Sequence, residues 1–304
     1  MNTVLIANKY EIREKIGEGV FGSVFLGEKR LLSGSGKKVA IKIEKEGSTS
    51  IRNESRILEF LARNGCGKHI AQVFWYGMQE KYYILVMTYI DGISLVDYFS
   101  KTTRTAKENA EWFLAAVKIL EKIHSVGVIH RDIKPAHFLF WKETWYLIDF
   151  GFSTFFLDTT PTTTPSPSRE YIMGTPNYIS IAIHNGFSPT ARDDIISLVY
   201  IFLEIGEKER LPWSKTVLFP TEEMEKYPEC HILHVQNQYK KKYKEKWERD
   251  IQWEIDIQWE IDRRERDHLG YDCLQEIYIE ASGSSVSVYT RLINRIINNI
   301  NNYV

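Results

Sequence analysis

The chain has 304 residues, of which 43% are hydrophobic, 13% aromatic and 26% charged, with 39 basic against 40 acidic side chains. That composition excludes a disordered or fibrous chain, and a formal charge of −1 removes any overall electrostatic argument for a nucleic-acid or membrane-surface partner, which would need a local patch. The length is generous for one small domain and comfortable for a two-lobed one.

From Tyr10 to Lys42 the text reads as strand, "YEIREKIGEGVFGSVFLGEKR" and "KKVAIKIEK", separated by the turn-like "LLSGSG", which predicts an antiparallel sheet. "SIRNESRILEFLARNG" carries Ile51, Ile57, Leu58 and Leu61 at helical spacing and stops at Gly65. "IAQVFWYG" and "KYYILVMTYI" return to strand. After Asp91 and Gly92 the texture turns helical, with "AKENAEWFLAAVKILEKIHSVG" the strongest amphipathic run, so a boundary is expected near residues 88–93. "TTPTTTPSPS", residues 159–168, is low in complexity, rich in hydroxyls and expected to be a mobile loop.

The three cysteines, Cys66, Cys230 and Cys273, are far apart and odd in number, which suits plain thiols in a reducing compartment. The first residues lack a basic segment followed by a long apolar one, and no 18-residue apolar run occurs, so the expected location is cytoplasmic or nuclear.

Chemistry enters at Gly17, Gly19 and Gly22. A dinucleotide fingerprint at this spacing would pass from strand through turn to helix, whereas "SVFLGEKR" continues as strand and makes a hairpin that can lie over phosphates. Val24 and Ala40 then wall an adenine pocket. Lys42 closes the apolar "VAIK", where a lone ammonium is unfavourable, and Glu54 on the next helix is its natural partner. In "VIHRDIKPAHFLF", Asp132 suits orienting a hydroxyl nucleophile and accepting its proton, and Lys134 suits neutralising a transferring phosphoryl group. Asp149 in "YLIDFG" follows an apolar strand and precedes a glycine, as a magnesium ligand facing phosphate requires.

In this order and spacing, from Gly17 to Trp213, the motifs resemble those of the protein kinase superfamily. "GTPNYISIAIHNGFSPTARDDIISLVYIFLEI" followed by "LPW", with "SRE" before "YIMGT", is most similar to the casein kinase 1 group. The resemblance implies an α+β, two-lobed fold with a β-rich N-lobe to about residue 87, a hinge at about 88–93 and a mainly helical C-lobe from about 94 to 304. It implies a serine/threonine kinase that uses ATP and magnesium, with manganese as an alternative, on protein substrates. Lys134 and Thr175 match the serine/threonine version. The expected nucleotide site runs through Ile16, Gly17, Glu18, Gly19 and Gly22 of the glycine loop, then Val24, Ala40, Lys42 and Glu54. Met87 is the expected gatekeeper, with Thr88, Tyr89 and Ile90 as hinge and Leu139 also in the site. Asp194 is expected to brace the backbone of the "HRD" stretch.

Two positions depart from that pattern. Asn177 stands where casein kinase 1 enzymes carry a basic residue associated with acidic or phosphorylated groups, which puts a preference for primed substrates in doubt. His137 stands where a metal-binding asparagine is expected; an imidazole is softer and larger than an amide oxygen and suits manganese or zinc better than magnesium. Asp149 and His137 are thus the candidate metal ligands. The rival reading is a pseudokinase that binds a partner, with or without nucleotide, as a scaffold.

Outside these motifs, "CHILH" has metal-like spacing without further ligands nearby, and "KKKYKEK" reads as a solvated face rather than a nucleic-acid patch. Residues 251–262 repeat IQWEID twice within a charged, tryptophan-containing insertion at about 238–268. Its alternation is strand-like, but the charged flanks and the lack of turn residues favour a long helix. On a helix Trp247, Trp253 and Trp259 step by about 240° and cannot share one face, so a partner or a second copy is expected to cover part of residues 247–262. Thr160, Thr164 and Ser166 each precede a proline; a phosphate there would find Arg131, although a disordered insert without regulatory role is the favoured reading of the segment.

Overall fold

The computed structural model describes residues 5–19, 22–31, 34–101, 106–156, 173–206, 211, 213–214, 240–242 and 244–245. The segment 159–168, the "CHILH" histidines, Trp247 and the IQWEID repeat lie outside the described residues. The described residues gather into two compact units, one drawn from 1–102, 122–130 and 135–155, the other from 103–121, 131–134 and 156–304.

The first unit is built on a six-stranded antiparallel sheet ordered β1-β2-β3-β4-β6-β5, with β1 Leu5–Ile6, β2 Tyr10–Glu18, β3 Gly22–Leu31, β4 Gly34–Lys45, β5 Val73–Gln79 and β6 Tyr82–Thr88. Strand alternation decides what each face carries. Val39, Ile41, Ile84 and Val86 join Ile6 and Tyr10 in a buried apolar cluster on one face. Ala40 and Lys42 therefore point to the other, where Ala40 pairs with Met87 and Lys42 with Leu85 and Val24. Part of the expected "LLSGSG" turn is strand: β3 runs to Leu31, β4 starts at Gly34, and these two residues pair.

Helix α1, Ser50–Arg63, buries Ile51, Ile57, Leu58 and Leu61 along one stripe. At about 1.5–3 kcal/mol for each fully buried side chain, this stripe, rather than helix propensity, holds α1 in place. No side chain at Thr49 caps it. The carboxylate of Glu44 on β4 does so instead, accepting the Ile51 N–H at 3.1 Å and the Ser48 hydroxyl at 2.5 Å. Gly65, at φ +78°, ends the helix in a conformation that favours glycine. Two smaller sheets complete this unit: β7 Ile93–Ser94 with β9 Phe138–Trp141 and β10 Thr144–Leu147, and β8 Val128–Ile129 with β11 Thr154–Phe155. Helix α2 covers Leu95–Ser100, capped by the Ser94 hydroxyl.

Helix α3, Ala106–Ser125, is the amphipathic run, with Trp112, Phe113, Ala116, Val117 and Leu120 buried. Within the second unit α4 is Ile181–His184 and α5 is Ala191–Gly206. Ile196 and Tyr200 of α5 pack on Leu211 and Trp213, with the Tyr200 and Trp213 rings edge to face at 5.0 Å. One expectation fails here. "KKKYKEK" is not wholly a solvated face: residues 240–242 and 244–245 are helical, and Lys244 is completely buried. Its ammonium finds enough acceptors to leave water, which a count of charges along the chain does not register.

Candidate active site

Within the first unit β4, α1 and the turn after β10 bring Lys42, Glu54 and Asp149 together. Lys42 Nζ donates to Glu54 Oε2 at 2.7 Å and to Asp149 Oδ1 at 3.0 Å. The other Glu54 oxygen accepts the Phe150 N–H at 3.1 Å, so one carboxylate ties strand, helix and the 149–151 turn. Glu54 is 1% exposed, Lys42 12% and Asp149 40%, which leaves Asp149 as the member that a ligand can reach. Burial works against the Lys42 charge, but Glu54 and Asp149 outweigh it and hold the ammonium above its usual pKa. Burial pushes the Glu54 carboxyl up, with Lys42 opposing. Burial also opposes the Asp149 charge, yet the hydrogen bond from His137 and the charge of Lys42 win, and Asp149 sits well below the usual carboxylate range.

His137, buried at the end of a single turn, Pro135–His137, presents Nε2 to Asp149 Oδ2 at 3.4 Å. An accessible, ionised carboxylate beside an imidazole nitrogen is a two-donor set for a divalent cation; no group of three or more His, Cys, Asp or Glu stands ready for a metal among the described residues. Asp149 has φ +63°, a left-handed conformation that costs a non-glycine residue of order 1–3 kcal/mol and is held by its surroundings. His130 supplies part of that hold: its Nε2 lies 3.1 Å from the Ile148 carbonyl and its ring packs against buried Phe150 at 4.8 Å. Asn53 on α1 adds a bond to the Ser153 carbonyl at 2.7 Å.

The remaining residues expected around the nucleotide fall in this unit too. Gly17 pairs with Val24 and Glu18 with Ser23, so the glycine segment is a hairpin of β2 and β3 rather than a strand-to-helix turn. A Cβ at Gly22 would come within 2.1 Å of the Ile43 carbonyl, which is why a glycine stands there. Ile16 is exposed, Ala40 and Ile90 are buried, Met87 and Thr88 pair with Ala40 and Val39, Tyr89 lies under Lys38, and Leu139 pairs with Ser94 on β7.

Within the second unit the residues of the "HRD" stretch form their own network. Asp132 accepts from Lys134 Nζ at 2.8 Å on Oδ2 and from the Thr175 hydroxyl at 2.6 Å on Oδ1. Arg131, at φ +68°, donates its backbone N–H to Asp194 Oδ1 at 2.9 Å, the brace expected of Asp194. Residues 175–180 are fastened from several sides. Thr175 O accepts the Tyr178 and Ile179 N–H groups, Trp213 Nε1 donates to Asn177 O at 2.8 Å, Tyr178 donates to Glu204 at 2.7 Å, and Ser180 donates to Asp193 at 2.5 Å. Lys240 donates to the Asn177 side-chain oxygen.

Sequence reasoning missed Asn53, the second bond of Glu54 and the lysines that reach residues 176–179. Asn53 neighbours Glu54 on a helix already marked as functional, and that adjacency was the available signal; for Lys244 only its helical phase with Lys240 hinted at a shared face. A paired lysine and buried glutamate, an ionised aspartate in a left-handed turn and an aspartate bridged by lysine and threonine point to phosphoryl transfer. The family model for the protein kinase domain matches residues 10–277. The chain belongs to the protein kinase family, with its α+β fold.

Proposed function

We propose that the chain is an active serine/threonine kinase of the casein kinase 1-like type, acting on protein hydroxyls. Protein kinases in general use ATP and a divalent cation. The cation, when bound, neutralises phosphate charge and orients the transferring group. Asp149 would hold it, with His137 as a second donor that favours manganese over magnesium. Lys42, kept charged by Glu54, would bind phosphate oxygens. Asp132 would orient the substrate hydroxyl and take its proton as the oxygen bonds to the γ-phosphorus and the bond to the leaving ADP oxygen breaks. Lys134 would offset charge on the moving phosphoryl group.

The observation that carries this reading is the network of Asp132 with both Lys134 and Thr175, because it holds a carboxylate ready beside a cation and a hydroxyl. Phosphoamino-acid analysis of a phosphorylated protein substrate tests it: phosphoserine and phosphothreonine are expected, and phosphotyrosine alone would refute the serine/threonine assignment. A second reading, a nucleotide-binding or partner-binding pseudokinase, is favoured by one feature, the His137 imidazole lying against the carboxylate that would carry the metal.

A further inference from the structure

Lys244 lies beyond every motif used above, in a run of charge that reads as surface, yet it is completely buried in the second unit. An ammonium has three N–H groups, and here each has an acceptor: the Pro176 carbonyl at 2.8 Å, the Ile179 carbonyl at 2.6 Å and His184 Nε2 at 3.2 Å. The rings of Tyr200 and Trp213 add cation–π contacts at 5.1 and 5.5 Å. Acceptors and rings together explain how the charge can leave water. Burial and the neighbouring lysines hold the His184 pKa down to about 3, so its ring stays neutral, and because an ammonium can only donate, Nε2 is the acceptor of this pair.

The two carbonyls sit on either side of Asn177 and Tyr178, in the stretch that begins with Thr175, whose hydroxyl bonds Asp132. Trp213 takes the Asn177 carbonyl between them, and Thr175 O closes the turn onto Tyr178 and Ile179. The backbone from 175 to 179 is thus held by its own turn and, from outside, by the Lys244 ammonium and the Trp213 indole.

We propose that Lys244 is a positioning residue for the protein substrate: by clamping the carbonyls of Pro176 and Ile179 it presets the 175–179 backbone, and with it Thr175, for the incoming chain. This rests on the kinase reading. A substrate that approaches Asp132 must pass the segment bonded to it, so a slack segment weakens protein docking while the separately built Lys42, Glu54 and Asp149 cluster is untouched.

The test is Lys244→Met, which keeps the apolar stem and removes the donors. Steady-state kinetics on casein should show KM for casein raised about tenfold or more, the effect of losing bonds to a charged donor, with KM for ATP and the ATP-induced thermal shift unchanged. Hydrogen exchange should show the Tyr178 and Ile179 amides exchanging faster, and those of α1 as in the wild type. An unchanged casein KM, or equal loss of casein and ATP binding, would overturn the proposal. If the methionine variant does not fold, His184→Ala, which removes one acceptor, should raise the casein KM by a smaller factor in the same direction; no change there would overturn it equally. If the wild type transfers no phosphate the kinase reading falls, but the exchange result still decides whether Lys244 presets the segment.

Discussion

Glu54→Gln separates the two bonds that one carboxylate makes. Oε2 accepts from Lys42 at 2.7 Å and Oε1 from the Phe150 N–H at 3.1 Å. A glutamine has a single acceptor oxygen, so whichever way the amide turns, its NH₂ faces a donor. The side chain is 1% exposed, so water does not replace the lost acceptor. An unsatisfied buried donor costs about 1–3 kcal/mol, and breaking a buried ion pair from one side about 3–5 kcal/mol. Lys42 retains Asp149 as a partner, which places the expected destabilisation at about 3 kcal/mol. If the same arrangement must be intact in the transition state, kcat/KM falls by roughly a hundredfold. Urea unfolding gives the first quantity and initial rates the second. A variant within about 0.5 kcal/mol of the wild type, the range of an ordinary surface change, and with unaltered kinetics would refute the division of labour between the two oxygens.

Two further outcomes follow from the histidines. Activity with manganese should exceed that with magnesium, and His137→Asn should raise the magnesium rate and the magnesium-dependent thermal shift seen with ATP; a fall under both metals would mean that His137 is an adapted ligand. His184, with a pKa of about 3 in the fold against 6.5 when unburied, contributes stability that is fully present above about pH 6.5 and is lost as pH falls toward 3. Between pH 7 and pH 5 the wild type should lose about 2 kcal/mol more than His184→Gln, measured by urea unfolding at each pH; parallel losses would show that the ring is not held neutral by its burial.

The motif residues were legible because their meaning is local: a lysine closing an apolar strand needs a carboxylate, and α1 presents Glu54 one turn in. The hairpin character of the glycine segment followed from the strand text on both sides of it. What stayed hidden depends on where chain segments meet. Glu44 caps α1 from seven residues before Ile51, a role that a search for a capping side chain at Thr49 does not find. Asn53 and Ser153 are a hundred residues apart. Lys244 is not legible as a buried residue because a lysine-rich run is normally solvated, and only packing supplies the two carbonyls and the imidazole that change its environment. His137 was flagged by its departure from the family pattern, whereas its placement against Asp149 is visible only in three dimensions.

Phosphate transfer is expected despite the imidazole of His137 at a position where the kinase resemblance implies a metal-binding asparagine. Labelled ATP, incubated with casein and with the protein alone in magnesium or manganese, measures this directly beside an Asp132→Asn control. Label is expected in casein and should be abolished in the control, with manganese the better metal. No label under either metal, or label that persists in Asp132→Asn, would contradict it.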